Sequence, residues 1–600
     1  MKTIFNRLGL ALLLCLIPKL FFAQVTLPFF DDFSSSKNIP DSTKWQDRNA
    51  FINAGFPLNP VTRNAATLDV LDADGRVYNY AISNPFIAEY LTSTAIRLDS
   101  VFDPTPKALT PADSLYLSFF YQPQGNGNPP ESMDSLVLEF GFPGEFDTIW
   151  HHIWSAPGQT LEQFLQENNG NYFKQVMIPI TNLSYFTSNF MFRFYNYASI
   201  ANQSEPSSRG NEDNWNIDMV YLNWNRNIND TSYPKISFTG PNPSFLKRYQ
   251  AMPYKHYRAN PTSSIAYKYE IKTSNLDNQD HQLDYYYTVE QLNGSQFYTY
   301  NCGTINLGSQ QYAQPDTAMV NDLFDLNYYT DSASFIIRHY ISDNTCNPPM
   351  VDSVVYRQDF YNYFAYDDGT PEMGFGVRPS SGAFAVKFEL SEVDTLRGVQ
   401  ILFNHTLNDA NNMYFDIVVW KDNNGKPGDE VYRLTNRRPQ WEDQLYKFVY
   451  YKFDQRVRLN GVFYIGIVQQ GNGLINVGFD TSKDNSQYNF INVTGSWQQS
   501  TKRGSIMMRP VVGANYYINV DENTVNDQIS VYPNPVSSTL HIEGVSDGAS
   551  IALYDITGRK VMQTSFTDEI PVSQLSNGLY LLNITTAEGK VISKKIMVRQ

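Results

Sequence analysis

The side-chain patterns with catalytic potential are few, and each meets a geometric objection. Gly544-Val-Ser-Asp-Gly548 has the G-x-S-x-G spacing that lifts a serine nucleophile onto a sharp strand-to-helix turn. Here it lies between two short runs that read as strands, so a hairpin turn is the expected state. His151 and His152 are adjacent; consecutive strand residues point to opposite faces, so the pair cannot chelate one metal. No H-E-x-x-H pattern and no Cys/His cluster offers a zinc site. Cys302 and Cys346 lie outside the N-terminal leader. In an oxidising compartment they are expected to form a disulfide, closing a loop of about 45 residues and contributing about 2–4 kcal/mol. Two separate buried thiols are the alternative. No His and Asn or Asp pattern marks either cysteine as a nucleophile. Among 60 acids no glycosidase pair can be singled out from sequence, because such a pair is defined by its separation in space.

The elements that must position these residues are strands. Hydrophobic residues make up 42% of the 600, enough for packed cores, and the chain is long enough for about four domains. Its 41 Tyr and 39 Phe favour strands over helices. A net charge of −15, more negative still once Lys2, Arg7 and Lys19 leave with a leader, repels phosphate and disfavours nucleic-acid partners. Residues 1–23 have the layout of a secretory signal: Lys2 and Arg7, the apolar run 8–17, and a cleavage position after Ala23. That run is too short to span a bilayer, and bulky Leu14 before Cys15 argues against lipidation.

Residues 24–230 read as one β domain, with strands at Leu115-Tyr-Leu-Ser-Phe-Phe-Tyr121, Leu136-Val-Leu-Glu-Phe140 and Phe190-Met-Phe-Arg-Phe-Tyr195, and a short helix near 159–168. Residues 235–356 form a second sandwich of immunoglobulin-like size, and 361–515 a third; 516–525 is a polar linker and 526–600 a small closing sandwich. Asp31-Asp-Phe33, Tyr121-Gln-Pro-Gln-Gly125, Trp150-His-His-Ile-Trp154 and Asn214-Trp-Asn-Ile-Asp218, in that order, resemble the jelly-roll module related to concanavalin-like and MAM-type domains of secreted Bacteroidetes proteins. Tyr366-Asp-Asp-Gly369 and the 419–428 turn resemble another sandwich of the same proteins. At the end of the chain, Tyr532-Pro-Asn-Pro535, Leu553-Tyr-Asp-Ile-Thr-Gly-Arg559, Leu575-Ser-Asn-Gly-Leu-Tyr580 and Lys594-Lys-Ile596 resemble the type A C-terminal sorting domain of the type IX secretion system. The sorting signal is carried over onto Tyr532, Pro533, Asn534, Pro535, Gly558, Gly578, Tyr580, Lys594 and Lys595.

That resemblance implies the type IX translocon and the C-terminal signal peptidase as partners. It further implies release outside the cell or attachment to lipopolysaccharide. The jelly-roll resemblance implies that Asp218 lies near Asp31 and Asp32 and, with Asp213, offers hard oxygen ligands for calcium. Hydrogen bonding of Asp218 to backbone amides is the competing reading. The jelly-roll resemblance also implies glycan stacking on Tyr121, Tyr195, Tyr197, Trp215 or Trp224, although alternation more often places such residues in the core. Asp-Ser/Thr-apolar triplets at Asp99, Asp113, Asp134, Asp147, Asp316, Asp331, Asp352 and Asp394 resemble an O-glycosylation sequon; ordinary turn chemistry gives the same triplets. The expectation is an all-β chain of tandem β-sandwich and jelly-roll domains ending in a small β-sandwich. Its expected role is that of a secreted or cell-surface, non-enzymatic binding or adhesion protein. A secreted hydrolase whose sandwiches are accessory binding modules is the alternative.

Overall fold

The computed structural model describes residues 25–201, 206–292, 297–321, 324–325, 332–513, 530–532, 536–543, 549–555, 559–565, 567, 569–585 and 591–599. The signal-like leader, Pro533, Asn534, Pro535, Gly558, Asp331 and the Gly544–Gly548 turn fall outside them. Among the described residues the sheets are antiparallel and helices are short, an all-β architecture of tandem sandwiches. No helix there is long and apolar enough to cross a membrane.

The first sandwich packs two sheets. One contains β1 (Phe29–Asp31), β2 (Phe51–Asn53), β3 (Ala65–Leu68), β5 (Leu115–Pro123), β8 (Lys174–Ile180) and β10 (Trp215–Asn223). The other runs β4 (Phe86–Thr92), β9 (Met191–Ala198), β6 (Ser135–Pro143), β7 (Thr148–Pro157). Alternation builds the core between them: Leu136, Leu138 and Phe140 of β6 and Phe192 and Phe194 of β9 point inward with Leu117, Phe119, Trp215 and Ile217. The helix expected near 159–168 is α1 (Leu161–Glu167); Thr160 caps it, accepting from the Gln163 amide while Gln163 reaches back to the Thr160 amide.

The second group of strands comprises β11 (Ile236–Phe238), β12 (Lys268–Asn275), β13 (His281–Gln291), β14 (Phe297–Leu307), β15 (Gln314–Met319), β16 (Ala333–Asp343) and β17 (Met350–Phe360). The third is dominated by β18 (Ala383–Ile401), β19 (Phe415–Asn423), β20 (Lys426–Arg437) and β21 (Val449–Gln469). A single apolar cluster runs from Ile236 to Val512 through both. Residues 245–260 join them: Tyr249 stacks on Phe388, Arg248 bonds the Tyr366 hydroxyl and pairs with Glu389, and buried His256 bonds Asp394 at 3.0 Å. The first sandwich attaches through Lys235–Asp32, Lys272–Asn59 and Thr481–Asn126 contacts. Residues up to Tyr516 form one compact unit, and the rest another.

The expected Cys302–Cys346 disulfide is absent; both thiols are free. Cys302 sits on β14, while Cys346 lies in the turn after β16, and β13 runs between those two strands. Each sulfur faces its own surroundings: Cys346 lies 3.7 Å from the His281 ring, and Cys302 lies over the Tyr269–Tyr285 hydroxyl pair.

Candidate functional site

The four aspartates expected to bind calcium do not converge. β1 pairs with β10, setting Asp31 opposite Val220, and this brings Asp31 and Asp32 beside Asp218 as the resemblance implies. Their oxygens are already engaged. Asp31 accepts from Trp45 Nε1 at 2.7 Å and Lys44 Nζ at 3.0 Å, and Asp32 pairs with Lys235 at 2.7 Å. Burial works against the Asp32 charge, but Lys235 outweighs it and holds the carboxyl below its usual range. Asp218 accepts from both the amide and the hydroxyl of Thr62 at 2.7 Å, a backbone contact of the kind the competing reading expects. Asp213 stands five positions earlier, roughly 16 Å along an extended chain, and faces Glu131 and Asp134 instead.

Two acidic groups that spacing alone could not reveal come together. Glu131, Asp134 and Asp213 present carboxylate oxygens within 4.8 Å of one another, as do Asp368, Glu372 and Asp480. In the second group the donors are local. Asp480 takes the Ser482 amide and hydroxyl and the Asp368 amide, Glu372 takes the Thr481 amide, and Asp368 takes Thr370. Burial, then the neighbouring carboxylates, pushes Glu372 and Asp480 well above the ordinary range, favouring their neutral forms. A third grouping, His281 with Asp343 and Cys346, has both ring nitrogens bonded to carboxylates, at 2.8 and 3.0 Å. The adjacent histidines do diverge: His151 bonds the Tyr185 hydroxyl, while His152 stands opposite Glu139.

Of the five aromatic candidates, Tyr121 and Trp215 are core residues and Trp224 carries the Lys107 ammonium 4.9 Å from its ring. Tyr195 and Tyr197 stand on the face of β9 turned away from the sandwich core, Tyr195 buried beneath its neighbours and Tyr197 half-buried, and those neighbours assemble a ladder that the sequence reading missed. The Arg193 guanidinium lies 4.1 Å from the Trp150 ring centre, 4.8 Å from Tyr90 and 5.7 Å from Tyr195. Glu139, opposite Arg193 on β6, bonds it at 2.8 Å and receives the Tyr195 hydroxyl. Gly141 faces Trp150 across the strand pair, and a Cβ there would lie 2.8 Å from the indole, so the missing side chain lets the ring settle over the sheet. Such a surface offers flat apolar area beside ionic hydrogen-bonding groups.

The closing unit holds the remaining expected positions. Gly578 and Tyr580 lie on strand Gly578–Thr585, paired with Val591–Val598, which carries Lys594 and Lys595; Tyr532 ends strand Ser530–Tyr532. Asp555 takes the Arg559 amide at 3.1 Å and its guanidinium at 3.0 Å, which explains the Asp and Arg of that turn, and the Tyr580 hydroxyl bonds the Ser576 carbonyl. Ile551, Leu553, Leu582, Ile584, Ile596 and Val598 form its core.

Architecture and closing unit together define an all-β protein built for export. Residues 530–599 are a secretion system C-terminal sorting domain, which implies handling by the type IX machinery and delivery to the cell surface or extracellular space. Over 75 residues the chain is 32% identical to Beta-agarase D of Zobellia galactanivorans, covering 12% of this chain and 16% of that protein. Among solved structures it is similar to a β-glucuronidase of Bacteroides uniformis, at a TM-score of 0.19 and 11% identity, over 45% of this chain and 28% of that one. A putative β-galactosidase of Bacteroides fragilis matches at a TM-score of 0.18 and 9% identity, over 49% and 33%.

Proposed function

We propose that this exported protein is a non-enzymatic binding or adhesion protein whose first sandwich takes glycans on its outward β4–β9–β6–β7 face. The observation that carries this reading is the Tyr90–Arg193–Trp150 ladder with Tyr195, Tyr197 and Glu139. Sugar rings present apolar C–H faces and dense hydroxyls, and the ladder supplies aromatic planes, a guanidinium and a carboxylate side by side. Attachment to lipopolysaccharide after removal of the sorting domain would present this face at the cell surface.

A glycan array and a cell-binding assay with the chain lacking residues 1–23 test the reading. Binding that falls at least tenfold in Trp150→Ala, with the melting temperature nearly kept, supports it. Equal binding by wild type and Trp150→Ala removes the ladder from the site. Release of reducing ends from a bound glycan would favour the hydrolase alternative.

A further inference from the structure

At one end of the first sandwich, three carboxylates meet. Asp134 immediately precedes β6 of one sheet, Asp213 lies two residues before β10 of the other, and Glu131 sits on the loop three residues upstream of Asp134. Asp134 is 1% exposed and Asp213 fully buried. One oxygen of each is used: Asp134 Oδ2 accepts from the Ser199 hydroxyl at 3.0 Å and the Glu131 amide at 3.1 Å, and Asp213 Oδ2 from the Ser199 amide at 2.6 Å. The other oxygen of each, Oδ1, is buried with no hydrogen-bond donor. A buried carboxylate oxygen left without a donor costs about 1–3 kcal/mol or more, and two facing a third carboxylate repel as well. Burial first, then that repulsion, pushes Asp134 up to about 6 and Asp213 up to about 10.

The donor set is all oxygen and anionic, with the Asn128 side-chain oxygen adjacent, receiving the Asp213 amide at 3.3 Å. Among the described residues the group contains no histidine or cysteine to select zinc or copper, and a mixed carboxylate and amide set suits calcium, which accepts six to eight oxygens in irregular geometry. The Asp368–Glu372–Asp480 group differs, because both oxygens of its two buried members, Glu372 and Asp480, already accept from backbone and hydroxyl donors.

We propose that Glu131, Asp134 and Asp213 form a calcium site that ties the two sheets of the first sandwich together where β6 and β10 begin. A dissociation constant of roughly 0.1–1 mM, the range of extracellular modules, would suffice outside the cell.

The test is calorimetric titration of calcium chloride into the leaderless chain, with melting temperatures in calcium and in chelator. One ion should bind, the melting temperature should rise with calcium, and magnesium chloride should do less. Asp213→Asn keeps the left-handed backbone at φ 58, which asparagine tolerates. Its chelated form should melt at or above the chelated wild type, with the calcium response gone. Glu131→Gln, on an exposed position, should weaken binding about tenfold; if Asp213→Asn does not fold, this variant decides. No calcium binding by wild type overturns the proposal. So does an undiminished response in Asp213→Asn or, failing that, in Glu131→Gln.

Discussion

His281 is held between two carboxylates, Asp343 at 2.8 Å and Asp277 at 3.0 Å. Burial opposes its charge, but the hydrogen bonds and charges of Asp343 and Asp277 outweigh burial and keep the ring above the ordinary histidine value. Against burial, the Thr345 hydroxyl, then the His281 ring and the Thr345 amide, hold Asp343 down at about 2. A histidine raised on folding adds stability that is complete below its unfolded value, about 6.5, and fades as pH climbs through the folded value. A lowered aspartate adds stability above about 3.9 that is lost as pH falls toward about 2. The contact is therefore strongest between those limits. His281→Gln should cost about 3 kcal/mol near pH 5, and the gap should be narrower at an alkaline pH above the raised histidine value. Denaturant titrations at both pH values check this, and a pH-independent gap would refute it. The free thiols make a second expectation. Burial pushes Cys302 up to about 11, and burial and Asp343 raise Cys346, so both should alkylate slowly in the native chain. After denaturation without reductant, intact mass should still show two adducts.

At the scale of elements, the strands themselves were legible because their period of two is written directly in runs such as Tyr285-Tyr-Tyr-Thr-Val289, part of a strand, β13, that alternates buried and exposed from His281 to Tyr287. The pairing of β1 with β10 was legible too, through a resemblance. What escaped was whatever depends on register between strands distant in sequence. Trp150 faces Gly141, and Arg193 faces Glu139, only because β7, β6 and β9 pair in one particular alignment. Asp213 was assigned to the wrong acids for a similar reason: its partners come from a loop about 80 residues earlier, on the opposite sheet. The same register yields a test. Gly141→Val would drive a side chain into the Trp150 ring, costing about 1–3 kcal/mol and tilting the indole off the sheet. Glycan binding should drop as in Trp150→Ala, and retained binding would separate the ladder from recognition.

At the scale of the molecule, the sorting domain and the proposed glycan face lie in different units. A chain ending before Asn526 lacks the sorting domain at 530–599 and should fold normally but remain in the periplasm, which surface labelling and fractionation would reveal. Surface display of that truncation would break the link between this domain and delivery. Within the larger unit, strands group as sandwiches but the apolar interior does not respect the boundary between the second and third. A piece beginning at residue 361 would leave Phe364, Tyr366 and Phe388 without Tyr249, and Asp394 without His256. Sandwiches of this kind are often treated as beads that recombination can shuffle between proteins. Here the bead is the pair: a graft of either half would carry an unsealed interior, so the two have to be inherited together.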